Sequence, residues 1–571
     1  MADRDRAARG GFVLDTGMAP ERGDHGGGSR VAIIGAGPIG LLTALGLARY
    51  GIACTVYEED DQLSLDTKAG TLLTRTIEIF RRYGVSEAVL SKALRVDEIG
   101  EIDRATQKST YPVRLGALAA ETRFPFVINL PQHHLEPILA AAANASPFID
   151  LRLGHRLESH RVENGRAVLD VSHEGRVSQF AVDFLLACDG GRSGVRDRMG
   201  VKVDGHSLPV RYSLVDLVVD LDVHNPRDYP YLAYFSDPDE WMILVRQPHC
   251  WRFLFPLAEG AEEPGAEELG RKALSFIGDV ENFEVINKVV YRVHHRVATQ
   301  WRDGPVFLMG DAAHLITPMW ALGLNTGALD ASNLPWRLAW YLRGWADETI
   351  LDGYEREQKP LASHGSGEMA EAARLSMDKR GSASEAMSDN NWTNASTRSM
   401  LGVRLDVHGR GDWSLVVREV KAPILVGDRL PDFELHTPAG APARVHDLID
   451  GRFTALYFVD VRRRPAVSQE ISPALQHFAV SRFDAPLDSG LRHASLLDSG
   501  DAFLERLGIS PGTLVLIRPD EHIAAIEPLS GDPNQAALLY DRIVGRPPAP
   551  SGPDHDSPIS DPARPVAAPA R

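Results

Sequence analysis

Three glycines give the first chemical signal in this sequence. Gly35, Gly37 and Gly40 stand in the pattern G-x-G-x-x-G, with Pro38 between the second and third. The first glycine permits a tight turn, the second lets backbone approach a phosphate, and the third lets a helix pack closely on a strand. Glu58 follows at the spacing where a carboxylate can accept hydrogen bonds from ribose hydroxyls. Two more acid–glycine pairs end apolar runs: Asp189-Gly190, with Arg192 just beyond, and Gly310-Asp311, followed by Gly323, Leu324 and Asn325. The chemistry these residues suit is binding of a dinucleotide through its pyrophosphate. The glycine motif by itself leaves FAD and NAD open.

Each motif needs an element to hold it. Val31 to Ile34 are four apolar residues that suit a buried parallel strand, and LLTALGLARYG has helical character. The N-terminus of that helix turns free N–H groups and a positive dipole end toward phosphate. Cys54 to Tyr57 make a second strand, and apolar runs before Asp189 and Gly310 make two more. Between 201 and 284, RYSLVDLVVDLDV and WRFLFPL are rich in β-branched and aromatic residues and read as strands. From 334 to 375 the pattern turns helical; 376–426 reads as a linker or helical connection, and 427–545 as a separate unit. The Gly-rich stretch 1–29 and the Pro/Ala-rich tail 546–571 have little to bury and are expected to be disordered.

Composition narrows the function. The 571 residues carry 61 basic against 78 acidic side chains, a formal net charge of −17. Such a chain has no basic excess to neutralise nucleic acid or an anionic membrane. Three cysteines, Cys54, Cys188 and Cys250, supply neither a disulfide framework nor a thiolate metal site. No apolar run is long enough to span a bilayer or serve as a secretory signal, so a cytoplasmic protein without a metal is expected.

The three motifs, in this order and over residues 30 to 375, resemble those of the FAD-dependent aromatic hydroxylases. These are the p-hydroxybenzoate hydroxylase-like, or class A, flavoprotein monooxygenases. The resemblance implies an α/β fold: a Rossmann-like FAD-binding domain (30–200 and 285–375) interleaved with an α+β substrate domain (201–284). It further implies that Gly35, Gly37, Gly40 and Glu58 bind the ADP half of FAD and that Asp311 meets the ribitol. The Gly323-Leu324-Asn325 backbone would approach the isoalloxazine. Asp189, Gly190 and Arg192 would serve FAD and the nicotinamide cofactor, and Gln132 would contact FAD. Read without the resemblance, Asp189 and Asp311 are helix caps and Gln132 a surface amide. The implied reaction uses FAD, NADPH or NADH as electron donor and O2 as co-substrate. It hydroxylates a phenolic or related small aromatic compound through a flavin C4a-hydroperoxide.

Two positions depart from the family pattern. Lys68 stands where an arginine is usual, and Trp320-Ala321 replace two glycines of the loop that begins at Thr317-Pro318. Trp320 is expected either to pack at the flavin and reshape the substrate pocket or to be an ordinary core indole. Tyr234, Trp241, Arg252, His294, His295, Pro318 and Trp320 are the candidate pocket residues, with no clean catalytic dyad among them. His314 reads as positioning. The unit at 427–545 resembles the thioredoxin-like domain of larger family members, yet all three cysteines precede it, so thiol chemistry is excluded there. Its Arg518-Pro519-Asp520 reads as a structural turn, and the unit as a packing or oligomerisation element, a homodimer being the expectation. The competing readings are an FAD reductase or tailoring oxidase on the same fold that does not insert oxygen, and a non-catalytic flavin-binding or assembly protein.

Overall fold

The four apolar residues Val31–Ile34 form β1, wholly buried, and the chain turns at Gly35 into α1 (Pro38–Arg49) and back through β2 (Cys54–Tyr57). In this computed structural model the described residues are 30–65, 70–219, 221, 229–237, 240–277, 280, 282–317, 321–366, 403–411, 423–437, 439–460, 467, 472–481, 495–498 and 502–545. The expected lead and tail, most of the 376–426 connection, Lys68, Pro318 and Trp320 lie outside them. Two further helices, α2 (Thr74–Arg82) and α3 (Gln132–Ala145), precede the strands β3 (Ile149–Arg152) and β4 (Phe184–Ala187). Strand β1 lies between β4 and β2, parallel to both, and β3 extends the sheet beyond β2. A parallel sheet covered by helices must be apolar on both faces, and β1, β2 and β4 are buried at every position.

After β4 the chain builds a second sheet from β5 (Val203–Val218), β6 (Leu232–Ser236), β7 (Met242–Arg246) and β8 (Trp251–Ala258). Helix α4 (Ala266–Ile277) leads to β9 (Glu284–Ala298). With the outlying strands Glu98–Asp103, Ser109–Arg114 and His314–Leu315 this makes an eight-stranded sheet. Side chains alternate across its central strands. Leu214, Leu232, Tyr234, Ile243, Val245 and Leu254 share one apolar cluster. Their neighbours Val215, Ala233, Phe235, Leu244 and Phe253 join Leu269 and Phe276 of α4 in another. The expected boundary at residue 285 is therefore displaced. Strand β9 pairs with β5 over nearly its whole length, so 284–298 belongs to this sheet, because long-range antiparallel pairing holds it there.

The chain then returns to the first sheet with β10 (Val306–Leu308), parallel to β4, and enters the long helix α5 (Leu322–Leu342), followed by α6 (Thr349–Pro360). Helix α5 is buried on almost all sides. It packs on α1 where Gly46 leaves room: a Cβ there would meet the Pro335 ring at 2.9 Å.

The last unit is a seven-stranded sheet. Its centre is β11 (Phe453–Val459), parallel to β12 (Leu475–Ser481) and antiparallel to β13 (Thr513–Ile517), which pairs in turn with β14 (Ile523–Pro528). Helix α7 (Gln535–Val544) returns to the body, where Tyr540 accepts a hydrogen bond from the Trp340 indole at 3.1 Å. The joint between this unit and the body is ionic and buried. Arg429 donates twice to Glu78 of α2, and Arg518 donates to both oxygens of Glu357 of α6 at 2.9 and 3.0 Å. Glu521 receives Arg75 and Arg82 of α2. The Arg518–Asp520 segment is indeed a turn, but its side chains are more than that, since Asp520 also accepts from the Trp336 indole at 3.1 Å. Among the described residues no helix is long and apolar enough to cross a membrane.

Candidate active site

The turn after β1 is built by contact. Gly35 holds φ +100°, and a Cβ there would lie 2.4 Å from the Cys188 carbonyl oxygen; one at Gly40 would lie 2.0 Å from the Gly35 oxygen. These two glycines let β1, α1 and the end of β4 meet. Gly37 has a different role. Nothing lies within 4 Å of where its Cβ would be, and as the N-cap of α1 it makes no side-chain cap, so the first amides of the helix face open space. Gly190, at φ +74°, is equally open. An open backbone cradle at a helix N-terminus suits a pyrophosphate.

A cavity of about 560 Å³ runs from this cradle to the apolar face of the second sheet. Of the expected cofactor residues, Gly37, Pro38, Gln132, Gly190, Asp311, Gly323 and Leu324 line it. The other described ones, Gly35, Gly40, Glu58, Asp189, Arg192, Gly310 and Asn325, do not line it. The Glu58 carboxylate accepts from the Ala36 amide at 2.7 Å and so braces the glycine turn. Asp189 is not the N-cap of the short helix that follows, which is Ser193, but it accepts from the Val195 amide at 3.1 Å, and burial raises its pKa. Arg192 is exposed and lines no part of the cavity. Gly310, at φ +56°, donates to Asp330 at 2.9 Å, and Asp330 also meets His314 at 2.8 Å. This buried pair braces the turn that presents Asp311.

Asn325 turns inward. Its Oδ1 accepts from the Leu73 amide at 2.9 Å and from Thr76 at 2.6 Å, and its Nδ2 donates to the Thr71 carbonyl at 3.0 Å. One side chain thus ties the start of α5 to the start of α2. Ala321, just before α5, sits at φ +56°, where the family pattern has a glycine.

Of the expected pocket residues, Tyr234, Arg252 and His294 line the cavity. Trp241 does not. It is buried edge-on against Tyr212, 5.5 Å between ring centres. His295 does not line the cavity either; its ring lies 6.2 Å from that of His206 across the sheet. His294 meets Ser207 at 2.9 Å, and burial, with Arg296 and Arg292 nearby, lowers its pKa. Other residues of the site had no mark in the sequence: Tyr291 lines the cavity, and Asp216 stands behind Arg252. Tyr291 stays protonated because burial pushes its phenol up, and Asp216 takes Arg252 in a two-point pair at 2.8 and 3.0 Å. Tyr291 opposite Tyr212 and Asp216 opposite Arg252 both required the register of two strands.

Glu78, His446 and Glu521 approach one another closely enough to hold a metal. Arg75, Arg82 and Arg429 already occupy both carboxylates, so the group is an ion-pair cluster.

Residues 29–365, more than half of the chain, match the family model described as an FAD binding domain. Para-nitrophenol 4-monooxygenase of Pseudomonas sp. (strain WBC-3) is 27% identical over 58% of this chain and 83% of its own. 6-Methylpretetramide 4-monooxygenase of Streptomyces rimosus is 28% identical over 90% of this chain and 93% of its own. Among solved structures, the flavin-dependent monooxygenase PieE in complex with FAD and substrate superposes with a TM-score of 0.75 at 22% identity, covering 91% of this chain and 99% of that one.

Proposed function

The chain belongs to the FAD binding domain family, and on that footing we propose that it is an FAD-dependent monooxygenase that hydroxylates a phenolic or related aromatic compound. The observation that carries this is the single cavity joining the open glycine cradle to an apolar sheet face. The names of relatives that share most of its length support the reading. FAD would lie along Gly37, Pro38 and Gly190 with its ring toward Gly323 and Leu324. Bound there, it would take electrons from NADPH or NADH and activate O2.

The chain's own residues bind, orient and keep water out. Leu214, Leu232, Ile243 and Leu254 present a dry wall to an aromatic ring. Tyr291, protonated at neutral pH, donates to an oxygen on that ring. His294, half-buried and neutral, takes the phenolic proton toward solvent. We read the unit at 427–545 as thioredoxin-like, on its mixed central sheet of β12, β11, β13 and β14, with a packing role. We also infer a cytoplasmic homodimer, on the three unpaired thiols and on the prevalence of dimers among enzymes.

The test is NAD(P)H oxidation by the purified protein across a panel of phenols under labelled dioxygen. A product heavier by one labelled oxygen atom is expected. Turnover without label would replace hydroxylation by an oxidase or reductase activity.

A further inference from the structure

One end of the cavity is polar in a way that neither the cradle nor the apolar wall explains. Gln247 follows β7 in the tight connection to β8, where its amide N–H bonds the Cys250 carbonyl. Gln247 is 1% exposed and lines the cavity, and among the described residues neither its Nε2 nor its Oε1 has a hydrogen-bond partner. Buried amides are costly to leave unpaired, so such a side chain is aimed at something that fills it. Beside it stands Arg252, whose Nε and Nη2 are taken by Asp216. A Cβ on Gly70 would lie 2.4 Å from Gln247 Nε2 and 3.3 Å from Arg252 Nη1. Both nitrogens therefore lie close to Gly70, where a side chain would displace the Gln247 amide from the cavity wall.

The geometry points to Gln247, with Arg252 Nη1, as a recognition site for a neutral donor–acceptor edge on the aromatic substrate. The matching chemistry is an oxygen acceptor flanked by an N–H or O–H, as in an ortho-hydroxy carboxamide. Two donors, Nε2 and Nη1, meet the carbonyl oxygen, and Oε1 accepts the neighbouring hydrogen. Charge decides against a carboxylate. Asp216 neutralises Arg252 through a two-point pair, Tyr291 beside it is uncharged, and Arg246 turns to the Gln247 and Cys250 carbonyls, so the Arg252 group itself offers no net positive charge to an anion. The nearby His133 is kept toward its neutral form by burial and by His134. The flavin's own ring edge presents the same donor–acceptor chemistry, and the experiment separates the two sources.

This inference rests on the aromatic-substrate reading above, and its test does not require turnover. The full chain, loaded with FAD, is titrated with 1-naphthol, 1-hydroxy-2-naphthamide and 1-hydroxy-2-naphthoate, following the visible absorbance of the flavin. The naphthamide is expected to bind about ten- to a hundredfold more tightly than 1-naphthol, the range of one satisfied buried amide. It should also outbind the naphthoate. Gln247→Leu should erase that advantage while leaving 1-naphthol affinity and FAD content unchanged. Equal affinities in the native chain, or tighter binding of the naphthoate, would overturn the assignment. So would loss of FAD from Gln247→Leu, which would give the amide to the cofactor. Binding of 1-naphthol without labelled product under turnover would count against hydroxylation and leave the recognition site standing.

Discussion

At Gly35 the backbone conformation and the space both exclude a side chain, since φ is +100° and a Cβ would meet the Cys188 oxygen at 2.4 Å. Gly35→Ala is therefore expected to lose bound FAD, with backbone strain of about 1–3 kcal/mol before any displacement of β4. Flavin absorbance of the purified variant and its melting temperature check this. His294 makes a different prediction. Because burial and two arginines hold its pKa below the ordinary 6.5, the neutral form dominates at neutral pH and is lost only in acid. Activity should fall below that value, and His294→Gln should lower kcat while flattening the acid limb of the pH profile. An unchanged acid limb would remove His294 from the proton path. The glycines were legible in the sequence because their constraint is steric and local. Glu58 was legible as an acid at a strand tip, but its contact with the Ala36 amide was not, since spacing does not say which way a carboxylate turns.

Elements explain what spacing alone missed. Helices α2 and α5 are joined at their N-termini through Asn325, whose side chain reaches Leu73, Thr76 and Thr71. Asn325→Ala would leave the Leu73 amide and the Thr71 carbonyl buried without these partners, at about 1–3 kcal/mol each. The expected result is faster FAD release with little change in secondary structure, read by flavin fluorescence and circular dichroism. On the second sheet, Tyr234, Ile243, Leu254 and Leu214 stand opposite one another across four strands and form one row of the cavity wall. Their alternation was visible in each strand separately. Which strand lies beside which was not, because the neighbours are set by long-range pairing. Arg252 illustrates the difference: its presence near the pocket was legible, its partner Asp216 was not.

Among the described residues, several buried ion pairs gather where the C-terminal unit meets the body. Glu521→Gln would leave Arg75 and Arg82 sharing a neutral amide in a buried site, and a loss of about 3–5 kcal/mol is expected from breaking such a group. Urea unfolding followed by a probe in each unit measures it. The same joint makes the protein acid-sensitive. His522, held to about 4 by burial against an ordinary 6.5, binds its proton more readily in the unfolded chain, so stability falls as pH drops from 6.5 toward 4. Glu357 is held to about 2 against an ordinary 4.5; although burial raises it, Arg337 and Arg518 outweigh that, and its contribution is lost as pH falls from 4.5 toward 2. Glu521 acts in the same direction. Melting temperatures should decline from pH 7 to pH 5 and more steeply below 4.5. In the sequence these charges were indistinguishable from surface residues, since only the docked unit buries them.

The arginines of α2 also belong to the helix whose first residues hold Asn325. A chain cut after residue 365 would keep every glycine of the cradle and still present Arg82 without its Glu521 carboxylate, leaving Arg75 to Glu78 alone. The cysteine-free appendage is, in effect, a folded counter-ion. Exchanging it between relatives should succeed only where the donor brings acids that match the recipient's arginines, so the two units are bound to change together over evolutionary time.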